Sequence, residues 1–237
     1  NVKIAVKVVD AQTGKTIYQD NAFTPMTPAS NMKLITTAAA VHYLGADYEF
    51  VTRIGLEGNT LVIIGSGDPL LGELSYEQAS SKPRHWILDD IVTAVSERGI
   101  TELDGIVVDS SFFDNQLVHP NWPVDQLNRD YASQVCGINY NANCITITTT
   151  RSGASVQITK DPETAYVTLI NELKVVNSGN SAVGAYRTDT PHKLFLKGKC
   201  RKQNQVDTTS EQTDAFFGLL LRRSEAHTYE LPSPNKF

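Results

Sequence analysis

The chain has 237 residues, of which 41% are hydrophobic and 20% charged, a composition typical of a folded globular protein with one large or two smaller domains. The net charge of −5 at pH 7 argues against nucleic acid as a partner. The sequence has no run of about 18 apolar residues, so no membrane span is expected, and Asn1 does not begin a signal peptide.

The first predicted elements are a β-hairpin and a helix. Residues 2–9 are β-rich and partly alternating, Thr13-Gly14 signals a turn, and residues 16–18 restart a strand. A helix is predicted over residues 30–44, because apolar side chains recur there at helical spacing and Gly45 follows as a stop. The stripe predicts a buried helix and consists of Leu34, Ile35, Ala38, Val41 and Leu44.

Ser30 and Lys33 form a Ser-x-x-Lys pair at the start of this helix. Residues three apart share a helix face, so the hydroxyl and the amine are expected to be neighbours. A serine becomes a strong nucleophile when a base takes its proton, and a lysine can be that base if burial or nearby positive charge lowers its pKa. The four-residue pattern also allows a simpler interpretation, in which Ser30 is a helix N-cap and Lys33 a solvated side chain.

Downstream of this helix, predicted strands outnumber predicted helices. Helices are predicted at residues 86–98 and 210–223, whereas residues 167–176 are ambiguous between helix and strand. A turn is predicted at residues 65–69, whose glycines lack the spacing and the Gly-Lys-Ser/Thr ending of a phosphate loop. The predicted strands are residues 48–54, 61–64, 105–109, 138–150, 156–159 and 193–197, and the tail at 231–237 is predicted to be unstructured.

Several stretches together resemble a known family. Residues 28–40 are similar to that family's nucleophile helix almost residue for residue. The other matching stretches are residues 13–18, 44–50, 65–71, 104–113 and 139–144. By these stretches the chain resembles the penicillin-binding proteins of the D-Ala-D-Ala carboxypeptidase/endopeptidase family, the low-molecular-mass type with large insertions after the Ser-x-x-Lys helix.

The resemblance implies serine acyl transfer on peptidoglycan stem peptides, without a cofactor. Ser30 would attack the carbonyl between two D-alanines and Lys33 would accept its proton; water would then resolve the resulting ester. β-Lactams would acylate the same serine. Asp109, with Phe112 or Phe113 nearby, would contact the side-chain amine of the stem peptide, although Asp109 is equally well explained as a strand-end acid in a turn. The family's location implies a periplasmic or otherwise extracytoplasmic protein, and the oligomeric state is not indicated.

Two motifs that the family needs are not matched. No Lys-Thr-Gly is present, since Lys197-Gly198-Lys199 lacks the threonine. Ser178-Gly179-Asn180 has the letters of the Ser-x-Asn motif but lies in a polar stretch that predicts a turn. Ser224 is better placed, at the end of a leucine-rich basic helix, yet Ala226 stands where asparagine is needed and cannot bind a substrate amide.

The resemblance implies an α/β (α+β) fold with an incomplete β-lactamase/transpeptidase-like serine acyltransferase domain. Residues 1–55 are assigned to that catalytic domain, residues 56–205 to inserted β-rich structure with a helix near 86–98, and residues 206–237 to a possible return. The chain has three cysteines, Cys136, Cys144 and Cys200, and we expect at most one disulfide. A pairing of Cys144 with Cys200 is a hypothesis, since both lie at predicted strand edges.

Three alternatives remain open from the sequence. The chain could be the N-terminal part of an active carboxypeptidase, a shortened and inactive relative that binds wall peptides or a protein, or a β-lactamase or esterase using the same serine and lysine. The first predicts an exposed apolar face on the hairpin and the Ser30 helix. The second predicts that local residues cover this face. The third predicts an oxyanion donor from elsewhere, most simply the Ser30 amide and a loop amide.

Overall fold

The structure, a computed structural model, describes residues 2–228, with the backbone alone for Arg223 and residues 225–228. Helices and strands both occur within this range, which confirms the predicted α/β class. The chain divides into two compact units, residues 1–49 and residues 50–237. The domain limits predicted from the sequence stay predictions, and the tail predicted at 231–237 lies outside the described residues.

The first unit begins with the predicted hairpin. Strand β1 (Val6–Val9) pairs antiparallel with β2 (Thr16–Asp20). The Asp10 carboxylate closes the turn by accepting hydrogen bonds from the amide of Thr13 at 2.7 Å and from its hydroxyl at 2.8 Å. Gly14, at φ 69°, supplies the left-handed residue that this turn requires.

A helix follows the hairpin, close to its predicted bounds. A 3₁₀ turn at Ala29–Asn31 leads into α1 (Met32–Leu44), and Gly45 at φ 87° ends it. The prediction that this helix is buried is wrong, because none of its residues is buried. One hairpin and one helix present too little surface to cover an apolar stripe. The exposed members of the stripe include Leu34, Ile35, Val41 and Leu44.

The second unit begins with a three-stranded sheet in the order β3-β4-β5. Strands β3 (Arg53–Glu57) and β4 (Thr60–Ile64) form a hairpin, and β5 (Gly105–Asp109) runs parallel to β4. The crossover that parallel strands require contains two helices, α2 (Leu74–Ala79) and α3 (Trp86–Glu97). The carboxyl ends of β4 and β5 therefore lie side by side.

Two further three-stranded sheets and a final helix complete the second unit. Their elements are β6 (Cys144–Ser152), β7 (Ser155–Asp161), β8 (Thr168–Val175), β9 (Ala182–Arg187), β10 (Lys193–Cys200), β11 (Gln203–Thr209) and α4 (Thr213–Thr228). One sheet has the antiparallel order β11-β6-β7, and in the other, β8-β10-β9, β8 runs parallel to β10. Helix α4 packs against α3 and β5.

The hydrophobic core of the second unit joins these layers. The inward face of β4 supplies Leu61 and Ile63, which are at most 1% exposed, and α4 supplies Phe216 and Phe217, which are fully buried. The aromatic ring of Tyr140 lies 5.4 Å from that of Phe217 between ring centroids. Other core members come from α3, β6 and β10 and include Leu88, Ile91, Val95, Ile145, Ile147, Leu194 and Leu196.

The largest error in the predicted strands concerns residues 138–150. Strand β6 begins only at Cys144, because asparagine side chains satisfy the preceding backbone locally. Asn143 accepts a hydrogen bond from the Tyr140 amide at 3.0 Å, and Asn141 donates to the Cys144 carbonyl at 2.8 Å. Asn141, Ala142 and Asn143 all have positive φ, which no strand accommodates.

The remaining differences concern short or polar elements. The strand predicted at 48–54 begins at Arg53, and the ambiguous stretch 167–176 forms strand β8. Helix α2 and strands β9 and β11 carry no strong periodic pattern and were not predicted. None of the helices within residues 2–228 has the length and apolar character needed to cross a bilayer.

The hypothesis of a disulfide between Cys144 and Cys200 is wrong. Cys144 begins the central strand of one sheet and Cys200 ends the central strand of another, and both thiols are free and buried. The Cys144 thiol lies 3.2 Å from the Ser133 hydroxyl, and the Cys200 thiol donates to the Lys202 carbonyl at 2.9 Å. Burial raises the pKa of Cys144 to about 11, so this thiol is protonated at neutral pH.

Candidate active site

Ser30 and Lys33 lie on consecutive turns of one right-handed helical segment. Ser30 is in the 3₁₀ turn and Lys33 is the second residue of α1, while Asn31 (φ −65°, ψ −19°) and Met32 (φ −56°, ψ −29°) keep the backbone helical between them. Residues three apart nearly eclipse one another in such a segment. The N-cap of α1 is Asn31, so Ser30 does not have the N-cap position of the simpler interpretation.

The backbone directly before Ser30 is unusual. Ala29 has φ 46°, a left-handed value that costs an L-residue roughly 1–2 kcal/mol. Residues held in such conformations are concentrated at functional sites. Ser30 and Lys33 are both exposed within the described residues. Exposure does not provide the dry surroundings in which a lysine acts as a base, so Lys33 could have that role only with further cover over this turn.

Asp109 is the last residue of β5, in the second unit. Three chain segments meet at this end of the sheet through backbone hydrogen bonds. The Gly65 amide donates to the Asp109 carbonyl at 3.1 Å, the Gly67 amide to the Gly137 carbonyl at 2.6 Å, and the Gly137 amide to the Ser110 carbonyl at 3.2 Å. We call residues 65–68, 109–110 and 137–139 the strand-end junction. Ligands of open α/β sheets characteristically bind at such carboxyl ends.

The Asp109 side chain is charged, and two exposed aromatic residues follow it in the chain. Hydrogen bonds from the hydroxyl and the amide of Ser111 hold the pKa of Asp109 below its ordinary value. Phe112 and Phe113 follow in the chain, with ring centroids 5.1 Å apart in an edge-to-face arrangement, and Phe112 is 56% exposed. An ionised carboxylate and exposed aromatic faces are both groups that attract a ligand with a positive charge.

Glycines make the close approach at the strand-end junction possible. A Cβ atom at Gly65 would lie 2.1 Å from the Gly137 carbonyl oxygen, and a Cβ atom at Gly137 would lie 2.6 Å from the Ser110 carbonyl oxygen. Both neighbours are backbone atoms, which cannot move without displacing the segments themselves. The junction therefore tolerates no side chain at either position.

We expect Gly65→Ala to destabilise the protein by about 1–3 kcal/mol, the range for overpacking a close-packed site. Gly55→Ala in β3 is the matched control, because a Cβ atom there would meet nothing within 4 Å. Urea unfolding of the two variants measures the difference. Equal midpoints for Gly65→Ala and Gly55→Ala would contradict the close approach.

A second polar cluster lies between α2 and α3 and was not predicted from the sequence. The Arg84 guanidinium donates to Glu77 and to the Gly72 carbonyl at 2.7 Å, to Asn141 at 2.8 Å and to Asp161 at 3.0 Å. Glu77 is only 1% exposed, so its charge is balanced inside the protein. We call the following set the Arg84 network: Glu77, Arg84, His85, Tyr140, Asn141 and Asp161.

His85 joins two members of the Arg84 network. Its Nε2 lies 2.8 Å from Asp161 Oδ1, and its Nδ1 lies 2.7 Å from the Tyr140 hydroxyl. A carboxylate only accepts, so Nε2 carries a hydrogen and donates it to Asp161, while Nδ1 is hydrogen-bonded to the Tyr140 hydroxyl. Burial raises the pKa of Tyr140, which keeps the hydrogen of its hydroxyl in place. Within the described residues, no three His, Cys, Asp or Glu side chains are grouped so that they could hold a metal ion.

The Arg84 network also links stability to pH through Asp161. The hydrogen bond from His85 is the largest influence holding the pKa of Asp161 below its ordinary value, and Arg84 contributes in the same direction against the effect of burial. A group whose pKa is lowered by folding stabilises the protein above its unfolded pKa, and this contribution is lost as the pH falls.

We therefore expect Asp161→Asn to flatten the acid side of the stability profile. In the unaltered protein the free energy of unfolding should fall as the pH drops from about 5 towards 2, and in the variant it should fall less. Urea unfolding at a series of pH values measures this, with Asp125→Asn, an exposed carboxylate, as the control. A variant slope equal to that of the unaltered protein would contradict the assignment.

The positions considered for the missing family motifs are spread over the second unit. Ser224 lies in α4, where its hydroxyl donates to the Leu220 carbonyl at 3.3 Å, and the Ala226 side chain lies outside the described part. Residues 178–180 form the loop between β8 and β9, as predicted, and residues 197–199 lie within the central strand β10.

Comparison with known proteins identifies the family. The D-Ala-D-Ala carboxypeptidase 3 (S13) family matches residues 1–224, nearly the whole chain. The chain belongs to this family. Residues 1–224 include Ser30, Lys33 and Asp109 as well as the Arg84 network, so all of these residues belong to the part of the sequence that matches the S13 family.

Curated relatives of this S13-family chain are named as carboxypeptidases. A D-alanyl-D-alanine carboxypeptidase of Actinomadura sp. (strain R39) is 35% identical over 131 residues, 51% of this chain and 22% of that protein. A carboxypeptidase of Mycobacterium tuberculosis is 31% identical over 135 residues, 55% of this chain and 29% of that protein. The matching part of the chain thus covers less than a third of the length of each of these relatives.

A solved structure shares the fold of the S13-family chain. Penicillin binding protein 4 from Haemophilus influenzae matches with a TM-score of 0.71 at 20% identity, over 94% of this chain and 50% of that protein. The match confirms the predicted relation to the fold of a penicillin-binding protein.

Proposed function

We propose that the chain carries the nucleophile of a serine-type D-Ala-D-Ala carboxypeptidase/endopeptidase that acts on peptidoglycan stem peptides. The observation that carries the proposal is the placement of Ser30 and Lys33 three residues apart on one helical segment, within the part of the chain that matches the S13 family. The left-handed Ala29 before Ser30 supports a specialised role for this turn.

The reaction is an acyl transfer in two steps. Lys33 takes the proton of the Ser30 hydroxyl while the oxygen attacks the carbonyl between two D-alanines. The peptide bond breaks, the terminal D-alanine leaves with a proton on its amine, and an ester to Ser30 forms. Water then cleaves the ester and restores the hydroxyl. A β-lactam ring opens on the same serine and leaves a covalent adduct.

The apolar face of the first unit supports the alternative in which further polypeptide completes the catalytic domain. The hairpin and α1 expose their large side chains instead of covering them locally, contrary to the expectation for a self-contained short relative. The exposed members include Val8, Ile17, Tyr18, Leu34, Ile35 and Val41. Polypeptide that covers this face would also bury Lys33 and bring the oxyanion donors that acyl transfer needs.

Asp109 has a proposed part in substrate binding. Its ionised carboxylate, followed in the chain by Phe112 and Phe113, would receive the side-chain amine of a stem peptide as an ion pair. Stem peptides lie outside the cytoplasmic membrane, so the proposal also places the protein there, at the cell wall or in the periplasm.

Covalent labelling tests the proposed nucleophile. The protein made from its complete gene is incubated with a fluorescent penicillin and examined by intact mass. We expect one adduct per chain, no adduct in Ser30→Ala, and normal labelling in Ser96→Ala, which changes an exposed serine on α3. A folded protein without an adduct would favour the inactive wall-peptide binder instead.

A further inference from the structure

The Arg84 network and the strand-end junction share one segment of the chain. Tyr140 and Asn141 belong to the network, and residues 137–139 directly before them belong to the junction. The Asn141 amide also donates to the Leu71 carbonyl at 2.9 Å, and the Asn139 side chain reaches the Asp68 carbonyl at 3.5 Å. Tyr140 in the network and Gly137 in the junction are therefore joined by a short stretch of backbone.

Tyr140 is the anchor of this shared segment. Its side chain is fully buried, and the ring lies so close to Gly72 that a Cβ atom there would be 2.2 Å from it. The ring packs on Phe217, and the hydroxyl is hydrogen-bonded to His85. A buried hydroxyl that loses its partner is costly, so His85 fixes where the Tyr140 ring can lie.

His85 is itself held in one orientation. Its amide donates to Glu77 at 2.9 Å, its Nε2 donates to Asp161, and the residue has φ 62° at the N-terminus of α3. Arg84 holds both of these carboxylates in place. These bonds fix the imidazole ring, so its Nδ1 holds the Tyr140 hydroxyl at a defined place.

We propose that His85 is a positioning residue for the Asp109 end of the sheet. Through Tyr140 it fixes residues 137–139, whose Gly137 bonds to Ser110 and to Gly67 fix the backbone that carries Asp109. His85 touches no reacting atom. It acts by holding the Asp109 carboxylate where it can bind the amine of the substrate. The effect of His85 on substrate binding rests on the proposed role of Asp109. The structural link between His85 and the strand-end junction does not depend on that role.

Two variants break the link without requiring a new backbone shape. His85→Asn keeps a residue that tolerates left-handed φ but is too short to bridge Asp161 and Tyr140. Tyr140→Phe keeps the buried ring and removes only the hydroxyl. His192→Asn is the matched control, because His192 also has positive φ (58°) and lies outside the Arg84 network.

Hydrogen exchange in the protein made from its complete gene tests the link directly. We expect exchange at the Gly67 and Gly137 amides to be about 5-fold faster in His85→Asn and Tyr140→Phe, the effect of losing one hydrogen bond. Exchange in strand β9 should be unchanged, and His192→Asn should leave both junction amides as they are. Unchanged exchange at Gly67 and Gly137 in both variants would overturn the proposal.

Kinetics on two stem peptides, one with a free side-chain amine and one with that amine acetylated, test the positioning role. We expect His85→Asn and Tyr140→Phe to raise KM for the free-amine peptide about 5-fold, because each variant loses one hydrogen bond that positions Asp109. The kcat for this peptide and the KM for the acetylated peptide should be unchanged. Asp109→Asn is measured in parallel. If Asp109→Asn removes the preference for the amine and the other two variants keep it, the positioning role of His85 is overturned alone. If Asp109→Asn also keeps the preference, the proposed role of Asp109 is overturned and the positioning role with it.

Discussion

Replacing Lys33 by methionine is expected to slow acylation of Ser30 by about 10²–10⁴-fold, the contribution of a positioned general base. Methionine keeps an unbranched side chain of similar length with good helix propensity, so α1 should form normally. The measurement is the second-order rate of adduct formation with a penicillin, followed by intact mass in the protein made from its complete gene. Ser30→Ala gives the zero-rate reference.

Lys15→Met serves as the control for removing a positive charge, since Lys15 is exposed beside the hairpin turn of the same unit. We expect this variant to react at the rate of the unaltered protein. A rate for Lys33→Met within a factor of about 3 of the unaltered rate would exclude a base worth at least 10² and with it the proposed activation of Ser30.

Replacing Arg84 by methionine is expected to lower the free energy of unfolding by about 3 kcal/mol, because Glu77 would be left as a buried, uncompensated charge. The Glu77 side chain is 2% exposed and that of Arg84 is 25% exposed. Water that enters at position 84 in the variant would relieve part of the cost of the unpaired Glu77 charge. Urea unfolding at pH 7 measures the loss. Since the Arg84 network is within the second unit, the urea transition should report that unit.

Arg187→Met is the matched control for this prediction. Arg187 is also 25% exposed and also pairs at 2.7 Å, but its partner Glu211 is 29% exposed. We expect a loss of at most about 1 kcal/mol there, because water can solvate the remaining carboxylate. Adding Glu77→Gln to Arg84→Met should recover most of the stability, since a neutral amide costs less to bury. Equal losses for Arg84→Met and Arg187→Met would contradict the buried charge.

Local sequence patterns were sufficient for the elements whose residues all favour one structure. The β1–β2 hairpin has a Thr-Gly turn, α3 has apolar residues at helical spacing before Gly99, and β5 is a short apolar run. All three form as predicted, except that the first strand begins at Val6 and not at residue 2. Local sequence patterns failed at residues 138–143. There asparagine side chains form hydrogen bonds with the local backbone, so the residues do not join the predicted strand.

Some residues of the candidate sites can be found from sequence spacing, and others are brought together only by packing. Ser30 and Lys33 are three apart in sequence, so helix geometry alone brings them to one side, and a pattern can reveal them. Members of the Arg84 network come from positions 77, 84, 85, 140, 141 and 161. Their meeting depends on how α2, α3 and β7 pack, and no spacing in the chain encodes that meeting.

The sequence by itself determined the family, the helix that carries Lys33 and the mixed α/β class, because these depend on contiguous residues whose local preferences agree. Only the tertiary structure decided that α1 is exposed, that Cys144 and Cys200 lie in separate sheets, and that His85 is hydrogen-bonded to Tyr140. These outcomes depend on which distant segments pack together. Burial, thiol pairing and shared hydrogen bonds are properties of that packing and not of any single stretch of chain.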